Sequence, residues 1–352
     1  MTIEPEIPAM PIKADGNISF AAARADQASR LGEAIDTVTA ATTELAVAGG
    51  LSGPGPIFVG IGASYAAACA PVWTLRTRGI HAWRLGAGDY PLPFPLSEHP
   101  LVGISQSGRS TETLAVLESV ALDQRYAVVN RTPSPIAAAA RIVIDIGNIP
   151  DSYASTVGYT ATVAALGILA NAWDGGRIDP GWRELPEALQ ETERLLTGPV
   201  RELAGMFTHA RSADFVGSGP SVGSAEAAAL LFREVARIPA TGMGTRQYLH
   251  GSMESAGGGV HVLFGDAREA EVAATLAAAG HQVILVTSQD AAPGPNLNVV
   301  RLPVRPPSQR VILEALTMQI LVAAVAKERS VEIEEFVFHN PDTKVPAGTS
   351  PE

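Results

Sequence analysis

Along this chain, short unbroken apolar runs alternate with longer segments whose apolar residues recur every three to four positions. Ile57-Phe58-Val59-Gly60, Leu101-Val102-Gly103-Ile104, Tyr126-Ala127-Val128-Val129 and Ile142-Val143-Ile144-Asp145 read as strands. An unbroken apolar run, unlike an alternating one, is buried on both faces, so these strands predict parallel sheets covered by helices. The pattern then repeats. Asp214-Phe215-Val216-Gly217, Val260-His261-Val262-Leu263-Phe264, Gln282-Val283-Ile284-Leu285-Val286 and Val299-Val300-Arg301-Leu302 follow in the same order. The first strand of each set opens Phe-Val-Gly-x-Gly-x-Ser, at Phe58–Ser64 and again at Phe215–Ser221. Each set closes on a long apolar helix, near residues 155–172 and 309–327. The chain is therefore an internal duplication of a βαβ-type unit.

The remaining segments fall around this repeat. Residues 19–48 are Ala-rich and read as one or two helices. Residues 65–78 and 223–237 read as the helices after the two glycine turns. Residues 51–56 are a breaker-rich loop, residues 173–177 a turn, and residues 183–196 a bridging helix. Residues 1–16 are proline-rich and read as extended. The tail, residues 340–352, has three prolines and no apolar period; alone it reads as disordered, yet it is long enough to fold over a site. The expected division is an extension over 1–50, a first domain over 51–175, a second over 195–340 and a tail over 341–352.

Composition narrows the function. A net charge of −11 argues against nonspecific nucleic-acid binding and against anionic membranes. The single cysteine, Cys69, excludes an intramolecular disulfide and a multi-cysteine metal site. No uncharged apolar run reaches about 18 residues, and the first residues lack a signal-peptide pattern. A cytoplasmic location is the expectation. Gly60-Ile61-Gly62 invites comparison with dinucleotide folds, but Tyr65 stands where the third glycine of that fingerprint belongs. Nothing in the sequence calls for a cofactor or a metal.

The candidate chemistry starts at Ser105-Gln106-Ser107-Gly108-Arg109-Ser110, between a strand and a helix predicted over 111–120. The first amides of a helix lack internal partners and carry partial positive charge. Serine hydroxyls add donors, so the turn suits one phosphate. Read alone, it is as simply a capped helix start.

Gly62-Ala63-Ser64-Tyr65, Ser105-Gln106-Ser107-Gly108 and Ala154-Ser155-Thr156, set in a duplicated βαβ chain, resemble the tandem sugar isomerase (SIS) domain family, nearest to the isomerase half of the glucosamine-6-phosphate synthases. The resemblance spans about residues 50–345. It implies an α/β fold of two tandem doubly wound, flavodoxin-like, parallel-sheet domains, each a three-layer αβα sandwich. It implies that Ser105, Gln106, Ser107 and Ser110 hold a sugar phosphate, with Ser64 and Ser155 in the same pocket. Phe232-Arg233-Glu234-Val235 resembles the family's catalytic-glutamate segment, and Tyr248-Leu249-His250-Gly251 its histidine segment, sixteen residues on. The tail around Lys344 resembles the loop whose lysine forms a Schiff base with an open-chain ketose. Without the family, Glu234 reads as a helix charge paired with Arg233 or Arg237, His250 as a buried satisfied histidine, and Lys344 as a solvated tail residue.

The implied chemistry is coherent. Moving a proton between adjacent sugar carbons needs one carboxylate, and opening the ring needs an acid near neutrality. The implied activity is a phosphosugar aldose–ketose isomerase or isomerising deaminase of the glucosamine-6-phosphate type. A deglycase of phosphorylated Amadori products and a noncatalytic phosphosugar sensor are the alternatives. The implied partners are a phosphorylated sugar and a second copy of the chain, a homodimer sharing its active sites. The glutaminase half is expected to be absent. In the second repeat Gly265-Asp266-Ala267-Arg268 replaces the serine turn; an aspartate would repel phosphate, so one phosphate site per chain is expected. Three positions depart from the family. Ser252 follows His250-Gly251 where proline is usual, and Val157 and Leu231 stand where lysines are common.

Overall fold

The computed structural model describes residues 17–334, 336–338 and 340–346. The extended reading of residues 1–16 lies outside them. Two helices lead in, α1 (Phe20–Ala25) and α2 (Gln27–Val47). The first repeat follows as β1 (Ile57–Gly60), α3 (Ala63–Ala67), α4 (Cys69–Thr77), β2 (Trp83–Gly86), β3 (Leu101–Ser105), α5 (Thr111–Glu118), β4 (Arg125–Val129), α6 (Pro135–Ala139), β5 (Ile142–Asp145) and α7 (Val157–Ala172). The bridge is α8 (Leu185–Glu202). The second repeat runs β6 (Ser212–Gly217), α9 (Ser221–Val235), β7 (Ala240–Gly244), α10 (Thr245–Leu249), β8 (Gly259–Phe264), α11 (Arg268–Ala278), β9 (Gln282–Thr287), β10 (Leu297–Arg301) and α12 (Pro307–Glu328).

The strands form two five-stranded sheets, ordered β2-β1-β3-β4-β5 and β10-β9-β8-β6-β7, with every pairing parallel. Read from the other edge, the second order is the first repeated. This is the doubly wound, flavodoxin-like arrangement. In it the strand order reverses between the first strand and its third-strand neighbour, and ligands gather outside the carboxyl ends there. The turns after β1 and β3 flank that point in the first half. The turns after β6 and β8 flank it in the second.

Two strands escaped the hydrophobic pattern. β2 (Trp-Arg-Leu-Gly) and β7 (Ala-Thr-Gly-Met-Gly) are short and glycine-bearing, with β2 at the edge of its sheet and β7 at the edge of the other. An edge strand needs no continuous apolar run because one flank is unpaired. The helix predicted over 65–78 is broken at Ala68 into α3 and α4.

One large core joins the halves. α7 is buried along nearly its whole length, and Leu166, Ile168 and Leu169 share a cluster with Ile312, Leu316 and Ile320 of α12 and Phe215 and Phe232 of the second half. Each such side chain stabilises the fold by about 1.5–3 kcal/mol. Smaller clusters line the outer face of each sheet. Where α3 meets α9, a Cβ on Gly223 would lie 2.4 Å from the Ala66 carbonyl oxygen, so only glycine allows this approach. Beside it, Arg84 of β2 makes two hydrogen bonds to the Glu226 carboxylate of α9, one at 2.8 Å, and lies 4.2 Å from the centre of the Tyr65 ring.

Candidate active site

The serine turn leaves β3 at Ser105, which is buried with its Oγ 3.2 Å from Ser110 Oγ. Gly108 sits at φ +65°, and a Cβ there would meet Ser134 Oγ at 2.1 Å. The turn therefore closes tightly, and Ser107 Oγ accepts the Arg109 amide at 3.3 Å. Ser110 stands at the N-cap of α5 with extended backbone, yet its side chain caps nothing. The hydroxyl that would serve a plain helix cap faces Ser105 instead.

The tail lies along this turn. Lys344 bridges antiparallel to Ser110, the Val345 amide donates to the Arg109 carbonyl at 2.9 Å, and Arg109 Nε donates to the Val345 carbonyl at 2.6 Å. Thr111 Oγ1 donates to the Asp342 carbonyl. Residues 340–346 are thus ordered against the serine turn. The Lys344 side chain keeps contact with solvent, but crowding by the chain around it, and then the Arg109 charge, hold its pKa below the usual lysine value.

Glu234 lies on the last turn of α9 and lines a cavity of about 240 Å³. Ser224, Ala227, Ala228, Leu231 and Glu234 recur at helical spacing and form one wall. Ala315, Met318 and Gln319 of α12 form a second. Gly62, Ala63, Tyr153, Ser155 and Tyr159 of the first half complete it. Among the described residues Glu234 has no ion pair. Arg233 donates instead to the Ala240 carbonyl, and Arg237 to the Glu332 carbonyl. Burial raises the Glu234 pKa to about 7.

The cavity and the serine turn meet at the start of α7. Gln106 packs there, its Cγ 3.2 Å from where a Cβ on Gly158 would stand. Asp151, which the sequence reading missed, organises this corner. Its buried carboxylate accepts from Ser155 Oγ at 2.7 Å, Thr156 Oγ1 at 2.7 Å and the amides of Thr156 and Gly158 at 3.0 Å. Burial raises its pKa despite those bonds. Asp151 fixes Ser155 at the cavity wall and occupies the amino end of α7, so any phosphate is left to α5. Its signal was the acidic residue just ahead of a helix start. Ser64 sits in α3 beside the end of β1, next to the cavity residues Gly62 and Ala63 but not in the lining.

His250 is not brought to this cavity. It ends the short helix α10 beside the edge strand β7 and is exposed, so the buried reading of it does not hold. Among the described residues the buried histidine is His261, whose Nε2 donates to the Ala256 carbonyl at 3.0 Å while Nδ1 meets Tyr248 Oη at 3.0 Å and Asp214 Oδ2 at 3.3 Å. It ties both ends of the segment that carries His250 to β6 and β8.

In the second half the turn after β8 is closed from within. Asp266 accepts from Thr287 Oγ1, the Ser288 amide and Ser288 Oγ, each at 2.8 Å, and from Arg310. Partial burial would raise its pKa, but these donors outweigh it and lower it. Arg310 also holds the fully buried Glu314, which takes hydrogen bonds from Ser221 and Ser224.

Residues 57–172 match the family described as SIS domain. The glutamine–fructose-6-phosphate aminotransferase (isomerizing) of Oceanobacillus iheyensis is 32% identical over 179 residues, which are 47% of this chain and 29% of that longer protein. Among solved structures, the C-terminal domain of glucosamine-fructose-6-phosphate aminotransferase from Francisella tularensis superposes with a TM-score of 0.74 at 18% identity, covering 92% of this chain and 99% of that one. The tagatose-6-phosphate ketose/aldose isomerase of Escherichia coli gives 0.72 at 16% identity, covering 92% and 99%. At these identities the two structures establish the shared fold.

Proposed function

We propose that this chain, whose residues 57–172 match the SIS domain family, binds a phosphorylated sugar and moves a proton between the sugar's first two carbons. Ser105, Gln106, Ser107 and Ser110 take the phosphate, with Ser64 and Ser155 close by. Glu234 is the base. The observation that carries the reading is Glu234 itself: a desolvated carboxyl without an ion partner among the described residues, in one cavity with Ser155, which lies just ahead of the start of α7 where Gln106 of the serine turn packs. A pKa of about 7 suits a group that must both take and return a proton near neutrality. Lys344 and Arg109 sit at the phosphate end of the site, which supports a role for Lys344 in substrate handling.

The ring-opening acid is His250 of a second copy of the chain, since within one chain His250 stands apart from the cavity. The active unit in this reading is a homodimer with shared sites. An aldose–ketose isomerase or an isomerising deaminase fits this layout. One observation favours the deglycase alternative: among the described residues no lysine lines the cavity, and Leu231 forms part of its wall. A deglycase needs the glutamate and the histidine but no Schiff base.

The test is Glu234→Gln against a panel of hexose and hexosamine 6-phosphates and phosphorylated Amadori products, assayed for isomer, ammonia and free amine. Turnover should fall at least about 100-fold, with phosphosugar binding kept within about threefold. Unchanged turnover would remove Glu234 from the chemistry. Tight phosphosugar binding with no product in the parent protein would leave the sensor reading.

A further inference from the structure

The cavity extends past the point where Glu234 acts. Ser224 and Glu234 lie ten residues apart on one face of α9, so the lined wall runs roughly 15 Å along the helix axis. Its outer part is partly exposed: Gly62, Ala63, Tyr153, Ser155 and Leu230. Its inner part is closed by Tyr159, Ala228, Ala315 and Met318, all buried. No cationic side chain lines it among the described residues.

Three polar side chains stand in the inner wall, Ser224, Gln319 and Tyr159, and the serine has its donor committed. Ser224 gives its hydroxyl proton to Glu314, whose charge is balanced by Arg310, and so can only accept from a ligand. Gln319 gives its amide N–H to the Thr156 carbonyl at 3.3 Å, which fixes the amide's orientation. Its Oε1 is buried and has no donor among the described residues. An unsatisfied buried acceptor costs stability unless a ligand or water supplies the donor.

The geometry points to an inner subsite that takes an uncharged, largely aliphatic substituent on the sugar's reacting end, one that carries an O–H or N–H donor. A carboxylate tail finds no counter-charge there and would be buried unpaired in a largely apolar wall, so it is rejected. The inference rests on the phosphosugar reading and narrows it: the substrate is the adduct of a phosphosugar with a neutral-tailed amine, and Ser224 and Gln319 read the tail.

The experiment uses three stable ligands made by reductive coupling of glucose 6-phosphate to ammonia, to a four-carbon amino alcohol and to a four-carbon amino acid. Calorimetry on the full chain should show the hydroxyl-tailed compound binding at least about tenfold tighter than the unsubstituted one, since a buried methylene alone contributes about a factor of four. The carboxylate-tailed compound should bind no tighter than the unsubstituted one. Ala228→Leu, which fills the inner cavity, should erase the gain and leave the unsubstituted ligand within about threefold. Equal binding of the two tails, no gain from the hydroxyl tail, or a gain that survives Ala228→Leu would overturn the subsite. The comparison of ligands on the parent chain stands even if that variant does not fold. Failure of all three ligands to bind would instead bring down the phosphosugar reading, and the subsite with it.

Discussion

The two halves share a strand order and differ at the turn after the third strand of the parent pattern. In the first half that turn is Ser-Gln-Ser-Gly, with the Ser105 hydroxyl facing that of Ser110 at the start of a short helix. In the second, Asp266 collects two hydroxyls, an amide and the Arg310 guanidinium. Both turns are places where the fold favours an anion. The second half supplies its own, as the Asp266 carboxylate. The first half supplies none there, and Asp151 draws off only the neighbouring helix end at α7. In the proposed reading, the duplicated fold keeps its binding turn in the half where no side-chain carboxylate occupies it.

Exchanging the two chemistries is the sharpest way to break this contrast. Ser107→Asp should lower phosphosugar affinity by at least about 100-fold in an isothermal titration, because two like charges a few ångströms apart repel by several kcal/mol in a partly buried site. The reciprocal Asp266→Ser should lower stability by about 1–3 kcal/mol in denaturant unfolding, because Arg310 loses one of its two carboxylates. Inorganic phosphate at millimolar concentration should then recover part of that loss in the variant alone. Indifference of both variants would show that the turns are not equivalent.

Glu234 sets a second, smaller contrast, between function and stability. Its folded pKa of about 7 exceeds the usual glutamate value, so the folded state holds the proton more tightly than the unfolded chain. The group is then stability-neutral at pH 4 and costs progressively more as pH rises towards 8. Glu234→Gln should be more stable than the parent by about 1–3 kcal/mol at pH 8 and equal to it at pH 4. A constant difference across that range would show that the carboxyl is not desolvated in solution. Lys344→Ala should have the smallest effect. Placed beside the serine turn and outside the cavity lining, it should raise KM by up to about tenfold and change kcat by less than about threefold. A collapse of kcat would instead assign Lys344 to a covalent intermediate.

The repeat was readable because unbroken β-branched runs and the shared Phe-Val-Gly-x-Gly-x-Ser turn are local signals. The serine turn and Glu234 were readable as motifs. What stayed hidden depends on groups brought together from afar. Asp151 lies close in sequence to Ser155, but its burial under Gly158 and Gln106 is a tertiary fact. Arg310 and Asp266 are 44 positions apart. β2 and β7 gave no signal because edge strands need little apolar sequence. His261 read as one more position in a strand, yet its two ring nitrogens tie down the segment bearing His250, whose own exposure no spacing rule could predict.

The double hydrogen bond from Arg84 to Glu226 has an implication for the history of such a molecule. Each partner is only partly exposed and comes from a different repeat, on either side of the helix wall that bounds the cavity. Once an ancestral unit had copied itself and acquired this clasp, releasing either copy as a free-standing protein would break the ion pair and bare to water the apolar core the copies share. The doubling became a ratchet.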